Sequence, residues 1–322
     1  MENNLLELDK LSVGFLVKKK KINIIHDVSF KIAQHEILAV IGETGCGKSV
    51  TGSAILHLLP DNAVVSGSVK YKGEEILNMR EREFRKLRGT EIACIPQSPA
   101  TSLNPVMRAQ TQVTECIIKR KDFKGKKSEV KAQAHSIFER LGIGEREIYR
   151  RYPCELSGGM CQRVLISMGA ITHPSLLVVD EPTKAIDWML RREVAELLKE
   201  LRDSMDCAML MITHDIDVAR SIADRIAVMY AGEIVEIGSP QEIIENPRHP
   251  YTKGLIASLP SRGLNVMQGF MPSFEQLPSG CRFSDRCRYA FGQCTASEPE
   301  TENNGQGHLV KCCRWRELET NA

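Results

Sequence analysis

The run Gly42-Glu43-Thr44-Gly45-Cys46-Gly47-Lys48-Ser49 constrains the chain more than any other stretch. It fits G-x-x-x-x-G-K-[ST], preceded by the apolar run EILAVIG (36–42) and followed by VTGSAILHLL. That pattern works where a strand breaks into a tight loop and the loop opens a helix. The glycines let backbone N–H groups curl around a β-phosphate, and the positive end of the helix faces it. Lys48 then reaches the β- and γ-phosphates, and Ser49 holds Mg²⁺. A nucleoside triphosphate site follows from this local chemistry, and a strand–loop–helix start favours an α/β fold.

The rest of the chain agrees with an α/β sheet, because short apolar runs alternate with helical stretches. LLVVD (176–180) reads as a buried strand ending in a carboxylate. Asp180 is placed there to bind Mg²⁺, directly or through water, and Glu181 to orient and polarise an attacking water. CAMLMITH (207–214) is a further strand, ending at His214. RIAVMYAGEIVEIG (225–238) reads as two strands around an Ala231-Gly232 turn. A mostly helical insertion lies between EILAVIG and LLVVD. In it Val130, Ala134, Ile137, Phe138 and Leu141 recur at helical spacing, giving one apolar stripe directed at a core. Past residue 240 the sheet pattern stops, and NPRHPYTKGLIASLPSR and the Pro/Gly-rich run to 280 read as a short helix and a linker. Two domains are expected, 1–240 and 241–322.

Charge and cysteine usage narrow the setting. Lys and Arg number 43 against 41 Asp and Glu, which gives no reason to expect nucleic acid or an anionic membrane as partner. The densest basic run, residues 18–21, reads as a solvated hairpin turn. No stretch approaches the roughly 20 apolar residues of a membrane-spanning helix. MENNLLELDK is acidic and too short in its apolar part for a secretory signal, so a soluble, cytosolic chain is expected. In that compartment grouped cysteines read as metal or cluster ligands. Cys46, Cys94, Cys116, Cys154, Cys161 and Cys207 are scattered and read as small packing residues. The others form Cys281-x5-Cys287-x6-Cys294-x17-Cys312, with Cys313 spare and His308 nearby. Four thiolates can hold Zn²⁺ or an iron–sulfur cluster. Zinc sites draw on C-x2–4-C knuckles, and the longer loops suit a larger cluster; a cluster, zinc and unliganded thiols all stay open.

Further stretches carry a resemblance. ELSGGMCQR (155–163) resembles the signature of the ATP-binding-cassette (ABC) ATPases, and IPQSPATSLNP (95–105) their glutamine loop. TKAID (183–187), with Asp187, looks like the aspartate loop, and ITHD (212–215) like the histidine switch. All stand in the family's order. QSPATSLNPV, YPCELSGGM, HPYTKGLIASLP and the cysteine block narrow the resemblance to the dipeptide/oligopeptide/nickel import subfamily. It implies an ABC-type nucleotide-binding domain with a RecA-like core, an N-terminal antiparallel β subdomain and a helical subdomain, followed by a small Cys-rich extension.

The implied activity is ATP hydrolysis powering peptide import, with ATP and Mg²⁺ as ligands. The implied partners are a second, distinct ATPase, two membrane permease subunits and an extracytoplasmic solute-binding protein, with no nucleic acid. The chain would then sit peripherally on the cytoplasmic face of the membrane. By the same resemblance Ser157, Gly158, Gly159 and Gln162 face the γ-phosphate held by the opposite subunit. Gln97 contacts Mg²⁺ or the attacking water and the membrane partner, His214 holds the γ-phosphate and Glu181 in line, and Phe15 stacks on adenine. Cys281, Phe283, Arg286, Cys287, Ala290, Cys294, Pro299, His308 and Cys312 match a C-terminal pattern of the peptide importers. Some of those carry a [4Fe–4S] cluster, which points to Cys281, Cys287, Cys294 and Cys312 as ligands, with Zn²⁺ as the alternative.

Four positions depart from the family pattern. Cys46 replaces a serine in the phosphate loop, where oxidation is expected to block the site, and Cys161 replaces an arginine after the signature. Lys184 and Trp188 flank the aspartate loop in place of a small polar and an aliphatic residue. The competing functions are the same role in a nickel or metal-chelate importer, and a soluble ABC protein acting on nucleic acid or ribosomes. Against the latter stand the single cassette and near-neutral charge.

Overall fold

The computed structural model describes residues 4–145, 148–184, 188–304 and 307–319. Its strands are β1 (Asn4–Val17), β2 (Lys20–Ala33), β3 (Ile37–Ile41), β4 (Ala63–Tyr71), β5 (Glu74–Glu75), β6 (Ile92–Ile95), β7 (Leu176–Asp180), β8 (Ala208–Ile212), β9 (Arg225–Tyr230), β10 (Glu233–Gly238), β11 (Glu302–Asn303) and β12 (Leu309–Val310). Its helices are α1 (Lys48–Ile55), α2 (Glu81–Leu87), α3 (Pro99–Ser102), α4 (Ala109–Ile118), α5 (Lys127–Arg140), α6 (Gly158–Ala170), α7 (Trp188–Met205), α8 (Ile216–Ile222), α9 (Pro240–Glu245), α10 (Pro250–Ala257), α11 (Gly292–Ala296) and α12 (Trp315–Glu319). Two compact units result, one of residues 1–33, 37–78 and 214–322, the other of residues 34–36 and 79–213.

In the first unit β2, β1, β4 and β5 form an antiparallel sheet. The basic run lies where the sequence puts it. Lys18 and Lys19 make the β1–β2 turn with φ of 47° and 68°, the left-handed values that a two-residue hairpin needs. The remaining strands of this unit run β11-β12-β10-β9-β3, with β3 and β9 parallel and the others antiparallel. β3 is buried along its whole length, as a parallel strand covered on both faces must be. The Ala231-Gly232 turn is found as read, with both residues at positive φ.

One expectation is corrected. The sheet does not stop at residue 240, because β12 pairs with β10 and β11 with β12. Two-residue strands show no alternation of polar and apolar residues, so no period marks them in sequence. Their partner edge is held by buried polar contacts. Glu236 accepts from Arg248 N at 2.7 Å, His249 N at 3.0 Å and His308 Nε2 at 2.7 Å. These contacts and the β10–β12 ladder cover the Glu236–Ile237 part of the β10 edge.

The second unit carries β6, β7 and β8 as a parallel run with helices α2 to α7. The predicted stripe is its core, since Val130, Ala134, Ile137, Phe138 and Leu141 are all buried. Phe138 stacks on Tyr149, and His135 closes the other side of that ring. Among the described residues no helix is long and apolar enough to cross a membrane.

Candidate functional site

The phosphate loop leaves β3 at Gly42 and enters α1 at Lys48. Gly42 presses against the Met229 carbonyl with φ 154°, and Gly47 has φ 112°, so neither position accepts a side chain. A Cβ on Gly47 would lie 2.6 Å from Ile25 Cδ1. The loop is docked from below by Gly232 N, which donates to Cys46 O at 2.8 Å. Lys48 is buried, and its ammonium donates to the loop's own carbonyls, Gly42 O at 2.9 Å and Glu43 O at 3.0 Å. Those two bonds aim the charge at the loop's concave side. Thr44, Gly45 and Ser49 are exposed, so the mouth of the loop is open to a ligand.

Cys46 packs inward, in keeping with its reading as a small packing residue. It is fully buried, and burial pushes its thiol up from its ordinary range, the nearby Lys48 only partly opposing that. A buried neutral thiol is a poor nucleophile and a poor target for oxidants, so the expected oxidative block loses its physical basis.

Phe15 is half-buried on β1, paired with Ile22 of β2 and Ala63 of β4, and the next two residues, Leu16 and Val17, are exposed. His214 follows β8 and is exposed, and Asp215 caps α8 by accepting from Val218 N at 3.1 Å.

In the second unit Asp180 ends β7 and Glu181 follows it, 7% exposed. Glu181 has φ 48°, a left-handed value costly for a residue with a Cβ. Its N–H donates to Ile212 O at 2.8 Å and its carbonyl accepts from Lys184 N at 3.1 Å, which hold the strained turn. Strain of this kind concentrates at functional positions. Gln97 is half-buried on the loop after β6. Asp187 lies outside the described residues, as does the Trp188 side chain, while Lys184 is exposed.

Ser157 caps α6, its hydroxyl accepting from Met160 N at 3.3 Å. Gly158 is exposed with nothing near its missing Cβ, so the N–H groups of that helix start are open to an anion. Gly159 stands beside it, half-buried. Gln162 corrects its expectation. It is fully buried, and among the described residues neither amide atom finds a hydrogen-bond partner, so its side chain does not face a neighbouring subunit. Cys161 is also turned inward, its thiol donating to Pro153 O at 3.4 Å.

The cysteine block closes on itself. Cys281, Cys287, Cys294 and Cys312 line one cavity, together with Cys313, His249, Phe283 and Tyr289. Sequence spacing sets Cys313 aside, yet its Sγ lies 3.5 Å from that of Cys294. Burial raises the thiols, Cys281 to about 11 and Cys312 to about 12, and the neighbouring sulfurs add to it. Buried, mutually repelling thiols are a site in which a soft cation makes up for the lost solvation, binding as the protons leave.

Two measures bear on which metal fits. A zinc tetrahedron with bonds of about 2.3 Å sets its sulfurs about 3.8 Å apart. Among the described residues no three of these sulfurs lie within 4.8 Å of one another, so the thiols stand wider than one zinc requires. The free space between them is only about 20 Å³, so a whole cluster core would spread them further. Among the described residues, the group of three ligand-type side chains within 4.8 Å is His26, Glu233 and Glu298. Arg282 at 2.8 Å from Glu233, and Lys311 at 3.0 Å from Glu233 and 3.1 Å from Glu298, already compensate those carboxylates.

Comparison with known proteins accords with this geometry. Residues 25–184 match the family model described as ABC transporter, and residues 235–294 the model described as oligopeptide/dipeptide transporter, C-terminal region. The chain is 37% identical to the oligopeptide transport ATP-binding protein AppD of Bacillus subtilis (strain 168), over 98% of each chain. It is 36% identical to the dipeptide transport ATP-binding protein DppD of the same organism, over 95% of this chain and 93% of that protein. Among solved structures, the dimeric post-hydrolysis state of the ATP-binding cassette MJ0796 bound to ADP and Pi superposes with a TM-score of 0.65 at 24% identity. That likeness covers 73% of this chain and 98% of the cassette. CbiO1 from Clostridium perfringens gives a TM-score of 0.64 at 23% identity, over 76% and 92%.

Proposed function

The chain belongs to the ABC transporter family, in its oligopeptide/dipeptide branch, and from that premise we propose that it is the ATP-hydrolysing subunit of a peptide importer. The observation that carries this is the phosphate loop, with its buried Lys48 ammonium and open mouth at the start of α1.

In the proposed reaction Gly42, Glu43, Thr44, Gly45, Cys46 and Gly47 wrap the β-phosphate with backbone N–H groups, and Lys48 leaves its loop carbonyls for the β- and γ-phosphate oxygens. Ser49, Asp180 and Gln97 would be the residues to hold Mg²⁺, which would supply neutralisation of the charge on those phosphates. Glu181 orients and polarises the attacking water, which displaces ADP in line, and His214 steadies the γ-phosphate. Phe15 supports the adenine. Ser157 and the two following glycines present the open start of α6 to a nucleotide on a second cassette. Asp187 belongs to the same machinery by its place in the sequence.

Two membrane permease subunits and an external solute-binding protein complete the importer. In this reading they select the cargo, and the chain works peripherally on the cytoplasmic face. In sequence the ATPase motifs end before residue 240 and the Cys-rich extension follows, and residues 214–322 lie in one compact unit across that point. For the cysteine pocket we propose a [4Fe–4S] cluster on Cys281, Cys287, Cys294 and Cys312, supported by the wide sulfur spacing, with Zn²⁺ the alternative.

Steady-state ATP hydrolysis by Glu181→Gln tests the enzyme assignment. Nucleotide binding should persist while turnover falls by about 10²–10⁴, the range of a lost general base. Turnover like that of the parent would remove Glu181 from the mechanism. Iron, acid-labile sulfide and zinc per chain after anaerobic purification test the pocket. About four irons and four sulfides are expected, and one zinc without sulfide would overturn the cluster.

A further inference from the structure

Glu43, inside the phosphate loop, is held from the far end of the chain. Arg286 Nη1 donates to both of its carboxylate oxygens, at 3.0 and 3.1 Å, and lies 3.4 Å from Tyr230 Oη. The Arg286 side chain is 7% exposed and that of Glu43 28%, so the pair is shielded on the arginine side and reached by water at the carboxylate. Its guanidinium also donates from Nε to Gln268 O at 3.2 Å. The Glu43 backbone is tied as well, its N–H donating to Tyr251 Oη at 3.0 Å.

Arg286 sits in one short turn that also carries Arg282 and Phe283. Cys281 and Cys287 bracket it, and Ser284 N and Cys287 N close it by donating to Cys281 O at 2.9 Å and Ser284 O at 3.2 Å. Between the two cysteines, Arg282 pairs with Glu233 at 2.8 Å and bonds the Ala231 carbonyl. Phe283 is buried edge-on against Tyr230 and Tyr251, with ring centroids 5.2 and 5.5 Å away. All three side chains therefore reach the frame of the phosphate loop, and both ends of the turn open into the cysteine pocket.

We propose that Arg286 is a positioning residue for the nucleotide, pairing off the Glu43 carboxylate that would otherwise repel the phosphates, and that the bracketing cysteines set how firmly it does so. The inference rests on the reading of residues 42–49 as the phosphate site. Without its partner, the carboxylate adds a negative charge at the loop that has to hold a triphosphate, and the loop loses its side-chain anchor. Fixing Cys281 and Cys287 in one pocket holds the turn, and releasing them loosens Arg286 without any sulfur touching nucleotide.

The test titrates a fluorescent ATP analogue with Mg²⁺ into the full-length chain and its variants. Arg286→Gln should weaken binding about tenfold, in keeping with loss of a charged hydrogen bond. Adding Glu43→Gln to that variant should restore most of the loss, because the unpaired carboxylate is then gone. A merely structural arginine would not be rescued in this way. Cys281→Ser with Cys287→Ser should weaken binding too, and adding Arg286→Gln to them should cost little more. Should Arg286→Gln fail to fold, Arg286→Lys, which keeps the charge and loses the paired contact, should still weaken binding about threefold. Unchanged affinity in the arginine variants, or a loss that Glu43→Gln leaves in place, would overturn the proposal. A parent chain that binds no analogue would instead remove the phosphate-site reading beneath it.

Discussion

Acid should loosen the extension through one buried histidine. His249 caps α10, its Nδ1 accepting from Tyr251 N at 3.0 Å, and it is 1% exposed. Burial, with the Lys311 charge in second place, lowers its pKa from 6.5 to about 3. Protonation would take away the lone pair that Tyr251 N–H uses and set a cation beside the Phe283 ring. Glu236 beside it is already engaged by the His249 and Arg248 backbone N–H groups and by His308. The folded state is thus reluctant to take the proton, whereas the unfolded chain accepts it near pH 6.5. Stability from this residue is complete above about 6.5 and falls as pH drops toward about 3, by about 1.4 kcal/mol per unit.

Between pH 7.5 and pH 5 the loss works out at about 2 kcal/mol, or about 3 °C in melting temperature for a chain of 322 residues. His249→Asn keeps a cap acceptor and cannot titrate. Thermal melts of both chains at the two pH values measure the effect. The variant should start lower, from lost packing, but drop less on acidification. An equal acid-induced drop in both would refute the argument.

Other expectations are simpler to check. Phe283→Ala should cost about 3–5 kcal/mol by denaturant melt, since the ring fills the space between Tyr230, Tyr251 and His249. Gly47→Ala should abolish nucleotide binding, because φ 112° and the nearby Ile25 methyl leave no room for a Cβ. Brief treatment with a maleimide should label Cys154, the exposed thiol, well before the buried Cys46, as peptide mapping would report. Cys313→Ser should retain the metal content of the parent if the four ligands are those proposed, and loss of metal would bring the fifth thiol into the ligand set.

What was legible in the sequence is what local pattern determines. The phosphate loop, the LLVVD strand, the Ala231-Gly232 turn and the α5 stripe are each fixed within about 15 residues by period, turn chemistry or glycine placement. What was not legible depends on the chain returning to itself. Arg286 and Glu43 are 243 positions apart, and no spacing rule links an arginine in a cysteine-rich turn to a glutamate in a phosphate loop. The inward turn of Gln162 belongs to the same class, since its place after the signature marks it as eligible for a site while only packing decides which way it faces. The left-handed φ of Glu181 is hidden as well, because glutamate carries no preference for it and the ladder bond to Ile212 imposes it.

These two classes meet at the phosphate loop. Its glycines and lysine are encoded locally, and an isolated segment of that pattern would have the right groups without a fixed shape. The shape comes from three tertiary contacts: Gly232 N on the Cys46 carbonyl, Tyr251 Oη on the Glu43 amide, and Arg286 on the Glu43 carboxylate. Two of the three are supplied by residues beyond 240, outside the stretch matched by the ABC transporter model. A chain truncated near residue 240 would therefore keep every local nucleotide motif and lose two of the loop's anchors. It should bind the fluorescent ATP analogue more weakly than the full chain even where circular dichroism shows it folded. Equal affinity in a folded truncation would mean that the loop holds its shape from β3 and the β9–β10 turn alone.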